Sequence, residues 1–497
     1  MTSHVRPNVV LICVDQWRGD CLSIAGHPVV KTPYLDEFAA SGTRFVNAYS
    51  ANPTCTPARM SLITGLRAES HRRVGYSDGT PFDVDLTLPR VFREAGYQTQ
   101  AIGKMHYSPE RARLGFDDVL LHDGYLQHSR RRNRDPRSYD DYLVWLRRQA
   151  GEDAASDYIE NGVHCNSVVA RPWDKRESLH PTNWVVTEAE QWLYRRDPTR
   201  PFFLYLSFHR PHAPYDPPEW AFEQYLHEYP DHRPPRGDWV ETYQEYRDDA
   251  RPDSLVARYD QQTMNRARAG YYGHMTHIDL QFNRLMETFA EFEVLTNTIV
   301  MFVSDHGDMM GDHDLWRKGY PYEGSSRVPM ILAGPGLPRN RVDDRIVELR
   351  DVMPTLVRSA GIDVPSGVQG HSLLLDDDAP APVRAWLHGE HTMFDQSLQW
   401  IRLEQWKYVW MSKTGSEQLF DLEQDPQELT DLARDDHARG TLDACRSLLA
   451  QVLQGRPEGF VSDGSLVAGC PVSPLLEHAF TNAALTSAAE QRVPSPT

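Results

Sequence analysis

The sequence has no apolar run approaching the ~20 residues of a membrane-crossing helix, and its opening, MTSHVRPNVVLICVD, passes directly into an apolar strand that ends on an acid. Neither a spanning segment nor a secretory leader is expected. Cysteine is sparse: Cys13, Cys21, Cys55, Cys165, Cys445 and Cys470 show neither CxxC nor ladder spacing in 497 residues. This excludes a small disulfide-stapled scaffold and predicts reduced thiols in a cytoplasmic setting. Excess positive charge is missing too. Lys and Arg number 52 against 70 Asp and Glu, leaving −18 spread along the chain, which argues against a general nucleic-acid or membrane-surface binder. Internal repeats are also absent. What is present is the composition of a globular chain, with 40% hydrophobic residues and length for one large α/β core plus a smaller companion domain.

Asn8 to Val14 is a continuous β-branched apolar run, the pattern of a strand buried on both faces of a parallel sheet, and it places Asp15 at its C-terminal end. Thr32-Pro33 reads as the cap and first position of a helix stopped by Gly42, and the same grammar recurs from Thr87 to Gly96 ahead of a strand from Gln98 to Gly103. Pro201 to Phe208 and Thr298 to Val303 are further buried strands, the latter delivering Ser304, Asp305 and His306. Strands alternating with helices predict an α/β fold with a large, mostly parallel sheet. Ligands bind such sheets at the C-terminal strand edge, where Asp15 and Asp305 both emerge. Gln127 to Pro181 and Tyr215 to Pro252 break the rhythm and are expected to be long loops with short helices over that edge, while Asp253 to Phe292 is helical. After about residue 365 the pattern changes. Trp400 to Met411 and Glu417 to Ala433 read as antiparallel strands, an acidic turn and a helix. Residues 1–365 are therefore assigned to a catalytic domain, 366–482 to an α+β subdomain on an antiparallel sheet, and 483–497 to a tail that frays unless it packs on a partner subunit.

The segment Cys55-Thr56-Pro57-Ala58-Arg59 is the most informative. Thr56 and Pro57 fit a helix cap and first turn, which sets Cys55 at a helix N-terminus, where free N–H groups and the dipole favour an anion. On local physics alone, a buried structural cysteine explains the segment equally well. Asp15-Gln16 and Ser304-Asp305-His306-Gly307-Asp308 form a second group. Two carboxylates, an amide oxygen and an imidazole from two strand ends suit a divalent cation that polarises an ester.

Cys55-x-Pro57-x-Arg59 followed by Thr64-Gly65 resembles the signature of the type I sulfatases of the alkaline phosphatase superfamily, and the resemblance runs in consistent order from Asn8 to about Ala433. It implies an alkaline phosphatase-like fold and hydrolysis of sulfate monoesters, with Cys55 oxidised to formylglycine by a dedicated maturase. The hydrated aldehyde offers two geminal hydroxyls, one to attack sulfur and one to expel sulfate by collapsing back. By this resemblance Asp15, Gln16, Asp305, His306 and modified Cys55 hold one cation. Gln16 and His306 stand where the commonest pattern has an acid and an amide, which is similar to the branch of choline sulfatases and phosphonate monoester hydrolases. One imidazole among oxygen donors points to calcium first, with manganese or magnesium as alternatives.

The resemblance further assigns Lys104 and Lys318 to sulfate oxygens, Arg59 to pinning the formylglycine, His106 to taking its proton and His212 to protonating the leaving oxygen. A dianion-like transition state needs such a cationic cage inside an acidic protein. Asp308 is expected to stabilise the metal loop, Arg317 to be a solvated neighbour, His209 to be structural or functional with equal weight, and His274 and His277 to be packing or surface residues. The basic loop Arg67 to Tyr76 either holds a second anionic group of the substrate or pairs with the acidic body. The expected substrate is a small sulfated sugar or an aryl sulfate. Phosphonate monoester or phosphodiester hydrolysis is the alternative on the same scaffold, and noncatalytic binding of sulfated glycans is a third reading. Neither nucleic acid nor membrane is an expected partner, and homo-oligomerisation is left open.

Overall fold

The first strand, β1 (Asn8–Asp15), is buried throughout because both of its faces are covered. Val10, Ile12 and Val14 enter one apolar cluster and Val9, Leu11 and Cys13 another. The structure is a computed structural model, described for residues 6–124, 135–227, 233–375, 384–485 and 487–492. Around β1 it forms an eight-stranded sheet with β2 (Thr43–Tyr49), β3 (Gln98–Gly103), β4 (Asp118–Leu121), β5 (Phe202–Pro211), β6 (Thr298–Ser304), β7 (Met330–Ala333) and β8 (Arg341–Glu348), in the order β4-β3-β5-β1-β6-β7-β2-β8. β7 runs antiparallel to β6 and β2; the remaining pairings are parallel. Helices Pro33–Ala40, Pro181–Arg195 and Gln261–Glu291 cover one face, while Cys55–Thr64, Leu88–Glu94 and Val352–Ser359 cover the other.

Register brings the strand ends level. Val14 pairs with Phe208 on one side and Ser304 on the other, and Gly103 pairs with Ser207. A bulge between Val14 and Asp15 shifts Asp15 opposite Pro211. Gly103 is required where β3 ends: its φ is +102°, and a Cβ there would overlap the Ser207 carbonyl oxygen.

A separate antiparallel sheet, β12-β11-β10-β9, comprises β9 (Trp386–Met393), β10 (Gln396–Leu403), β11 (Trp406–Met411) and β12 (Glu417–Asp421). Helix Arg439–Leu453 packs on one face, and Tyr49, Trp239, Tyr320 and Tyr322 of the main body pack on the other. Two local expectations change here. The sequence reading did not mark β9, and the acidic stretch to Ala433 makes turns instead of a helix, because Asp421, Asp425 and Asp431 accept hydrogen bonds from nearby backbone N–H groups. Segments 127–181 and 215–252 contain the expected short helices Asp141–Ala150, Glu152–Glu160 and Glu219–Leu226, whose large buried residues join the apolar cluster of the helix Gln261–Glu291. Residues 127–134 and 228–232 of those segments lie outside the described residues. Among the described residues no helix is long and apolar enough to cross a membrane.

The tail departs most from expectation. Glu490 is fully buried, its carboxylate takes Arg350 at 2.8 Å and Arg384 at 3.4 Å and also pairs with Arg67, and its carbonyl accepts Ala385 N–H at 2.8 Å. Residues 487–492 are thus anchored within their own chain; 493–497 lie outside the described residues. Burial pushes the Glu490 carboxyl up, but Arg350 and Arg67 together hold it well below the usual glutamate value of 4.5. We expect Glu490→Gln, which leaves buried guanidinium groups without their anion, to cost roughly 3–5 kcal/mol in denaturant titrations at neutral pH. A carboxyl with a depressed folded pKa contributes stability above its unfolded value that is lost as pH falls through the folded one, so the difference from wild type should shrink below about pH 4.5. An unchanged unfolding midpoint would show that the tail contributes no anchor.

Candidate active site

Four adjacent parallel strands end at one edge, and the residues that follow them meet there. Asp15 closes β1, Asp305 and His306 follow β6, Lys104 follows β3, and His212 follows β5. Cys55 comes from the helix Cys55–Thr64, every residue of which is buried. The cap of that helix is Thr54, not Thr56, so Cys55 is itself the first helical residue, with its thiol where the dipole favours negative charge. Gln16 takes a left-handed conformation at φ +74°, held by its N–H donating to Asp305 Oδ1 at 3.1 Å and its carbonyl accepting the Tyr271 hydroxyl at 2.6 Å.

Asp15, Cys55, Asp305 and His306 each offer a donor atom within 4.8 Å of the others, all buried. His306 Nδ1 donates to the Gly307 carbonyl at 2.9 Å, which leaves Nε2 facing Cys55 Sγ at 3.2 Å, Asp15 Oδ1 at 3.5 Å and Asp305 Oδ1 at 3.6 Å. Burial and the neighbouring Asp15 push the Asp305 carboxyl up; burial presses His306 down, but Asp305 and Cys55 outweigh it and raise its pKa. Two carboxylates and a thiol crowded around one imidazole nitrogen are an electrostatic demand for positive charge, which a divalent cation would meet.

The other assigned residues surround this cluster in different ways. Gln16 lies beside it, but its Oε1 takes the Lys318 ammonium at 2.7 Å and its Nε2 donates to Asp308 at 2.5 Å; the second lone pair of the amide oxygen is what it has to offer a cation. Lys104 is fully buried, pairs with Asp15 and stands 3.8 Å from the Cys55 sulfur. Arg59 does not bond Cys55. Its Nε donates to Asp305 at 2.8 Å, and Nη1 is fixed by Ser207 at 2.8 Å and Tyr205 at 3.2 Å, neither of which had a sequence signal beyond belonging to a buried strand. Burial and Asp15 push the Cys55 thiol up, yet Lys104, Lys318 and His306 together hold it well below the usual thiol range. Burial and Lys318 also keep His212 well below the usual imidazole value. Its Nδ1 donates to the Ala213 carbonyl at 2.7 Å, and Nε2 has no protein partner. His106 is buried at φ +57°, its backbone N–H on Asp123 at 2.8 Å and both ring nitrogens without a partner. Asp308 accepts from Gln16, Tyr215, Met310 and Arg317, the supporting role expected of it.

Readings left open by the sequence are decided by the packing. The basic loop is used up internally: Arg67 pairs with Glu490, Arg72 reaches the Leu476 carbonyl at 3.0 Å, and Arg73 bonds the Thr80 carbonyl at 3.2 Å, so of the two readings the ion-pairing one holds. Arg317 is half-buried, only partly solvated, and its guanidinium donates to the Asp253 carbonyl at 2.8 Å. His274 and His277 are fully buried. His274 clusters with His180 and Asp216, but Arg210 already neutralises Asp216 at 2.6 Å while donating to the His212 carbonyl at 3.1 Å. This network braces the turn that carries His212, and His209 belongs to it through a 2.9 Å contact with Arg210.

Buried anions beside fixed cations at a strand edge are the setting for attack on a tetrahedral anion, and the fold and site together define a hydrolase of such esters. Comparison with known proteins narrows the class. The family model Sulfatase matches residues 7–362, and the model N-sulphoglucosamine sulphohydrolase, C-terminal, matches 311–454. An arylsulfatase of Clostridium perfringens is 44% identical over 95% of this chain and 99% of its own length. A choline-sulfatase of Rhizobium meliloti is 30% identical over 88% of this chain and 84% of its own. The crystal structure of a phosphonate monoester hydrolase of Agrobacterium radiobacter superposes with a TM-score of 0.72 at 28% identity, covering 88% of this chain and 93% of that one. The chain belongs to the sulfatase family, and it is a sulfuric ester hydrolase.

A cation added at about 100 times its dissociation constant should stabilise the fold by about 2.7 kcal/mol, read as a raised thermal midpoint that is lost in Asp305→Asn. Because the raised pKa of His306 means that binding displaces a proton, the apparent affinity should fall as pH is lowered. A pH-independent affinity would place the ion elsewhere.

Proposed function

We propose that sulfate monoesters are cleaved by a formylglycine made from Cys55. The observation that carries this is the position of the Cys55 sulfur at a helix N-terminus, 3.2 Å from His306 Nε2 and 3.7 Å from Asp15. In its hydrated form one geminal hydroxyl attacks sulfur and the other releases sulfate by collapse to the aldehyde. Asp15, Gln16, Asp305 and His306, completed by residue 55, would hold one divalent cation, calcium before manganese or magnesium, whose charge would polarise the ester.

Lys104 and Lys318 bind the sulfate oxygens. Arg59 fixes Asp305 through Nε, and its buried Nη2, without a hydrogen-bond partner in the protein, pins the formylglycine. His106, with both ring nitrogens unpartnered, accepts the nucleophile's proton, and His212 gives one to the leaving oxygen from Nε2. The incoming anion raises the pKa of His212, because opposite charge favours the imidazolium. Residues 1–365 serve as the catalytic domain and 366–482 as a C-terminal subdomain. The substrate is a small sulfated sugar or an aryl sulfate, the maturase is a transient partner, and six free cysteines support a reducing, cytoplasmic setting. The Gln16 and His306 pair and the phosphonate monoester hydrolase likeness favour one second reading, activity on phosphonate monoesters, which is decided by kcat/KM for sulfate and phosphonate esters of one leaving group.

Protein made with the maturase should carry an aldehyde at residue 55 by peptide mass analysis, and Cys55→Ala should be inactive; full activity in that variant would end the proposal. His212→Ala should lose about 10²–10⁴-fold with alkyl or sugar sulfates and far less with 4-nitrophenyl sulfate, whose leaving group needs no proton. Equal losses would make His212 a binding residue and move the acid role to Lys318.

A further inference from the structure

His391 plays no part in the reading above, yet it stands at the site. It lies on β9, the strand that the sequence reading did not mark, on the same face as Leu387 and Met393, which pack against the main body. The ring abuts Gly319, next to Lys318: a Cβ at Gly319 would come within 3.0 Å of it. Gly319 N–H in turn donates to the Pro53 carbonyl at 2.9 Å, two residues before Cys55, and the bridge between Gly75 and Thr392 ties β9 to the loop after the nucleophile helix. His391 is 5% exposed, and neither ring nitrogen has a hydrogen-bond partner in the protein. A buried imidazole with both polar atoms unmatched is costly, and a bound molecule that matches them recovers that cost.

We infer that His391 is a substrate contact, supplied by the C-terminal sheet, that reads a hydroxyl of the leaving group beside the sulfated oxygen. An uncharged imidazole presents one donor and one acceptor. Sulfate oxygens only accept and a plain aryl ring does neither, whereas a hydroxyl can meet whichever ring nitrogen faces it, donor or acceptor. Burial, with His306 and the Lys318 ammonium nearby, keeps the ring uncharged, at a pKa of about 3. The inference rests on the sulfatase chemistry proposed above and names its substrate class, polyhydroxylated alcohols such as sugars in preference to simple aryl alcohols.

The test uses full-length protein with its formylglycine verified, and a panel of pyranose monosulfates, each paired with the analogue deoxygenated at the carbon next to the sulfate. 4-Nitrophenyl sulfate serves as control. Wild type should favour at least one hydroxylated member over its deoxy partner by about 10–100-fold in kcat/KM. His391→Ala should erase that preference while keeping 4-nitrophenyl sulfate turnover within about threefold, and His391→Asn, which retains a donor and an acceptor, should restore part of it. Thermal midpoints of both variants verify folding; should the alanine variant unfold, the asparagine variant carries the test, with a weakened preference expected. Equal loss on hydroxylated and deoxy substrates, an undiminished preference, or a wild type that cleaves 4-nitrophenyl sulfate but shows no hydroxyl preference would each overturn the inference and leave the sulfatase mechanism standing. A formylglycine-bearing wild type inert toward every sulfate ester would instead sink the mechanism on which it rests.

Discussion

Charge balance inside a dry site is the constraint on which the rest of this molecule depends. Asp15, Asp305 and the Cys55 sulfur are removed from water, and each would cost several kcal/mol if left alone. Lys104, Arg59, His306 and Lys318 supply the opposing charge, and they do so from one helix and three separate loops. The strands must therefore end at one level. The pairing of Val14 with both Phe208 and Ser304 meets that requirement, and a slip of one residue would turn each of these side chains to the opposite face. Residues with no chemical role of their own inherit their positions from the same constraint: Tyr205 and Ser207 aim Arg59, Asp308 aims Gln16, and Arg210 with Asp216 braces the His212 turn.

That balance also prepares the chemistry. Cations gathered to stabilise two carboxylates and a thiol also stand ready for the charge of a sulfate and its transition state, so little reorganisation is needed when substrate arrives. The crowding that raises His306 and Asp305 in the protein by itself is the same crowding that a divalent ion would relieve. Site and cation would in this sense form one electrostatic unit.

The C-terminal sheet is more than an appendage. Its inner face packs on Tyr49, Tyr320 and Tyr322, its first strand carries His391 to the wall beside Lys318, and Glu490 returns beneath Arg67, Arg350 and Arg384. A buried ion-pair network of this kind ties residues 487–492 to the loop that follows the helix Cys55–Thr64. Specificity elements on the smaller sheet can then be held firmly against a catalytic edge on the larger one.

The sequence by itself determined the parallel architecture, because continuous β-branched runs such as Asn8 to Val14 need cover on both faces. It also determined the acids at the ends of β1 and β6 and the cysteine at a helix start, because cap and strand-end signals are local. What it left open or misjudged shares one cause. Whether Arg67 and Arg73 meet substrate or internal partners, whether His274 is surface or core, and whether the tail frays or is pinned by Glu490 all depend on which groups from distant positions arrive within 3–4 Å. Charge pairing and burial are properties of that arrival and leave no periodicity in the chain. Even the strand bearing His391 escaped notice, since HGEH in its middle places polar groups on both faces, and only tertiary packing on both sides buries the strand throughout.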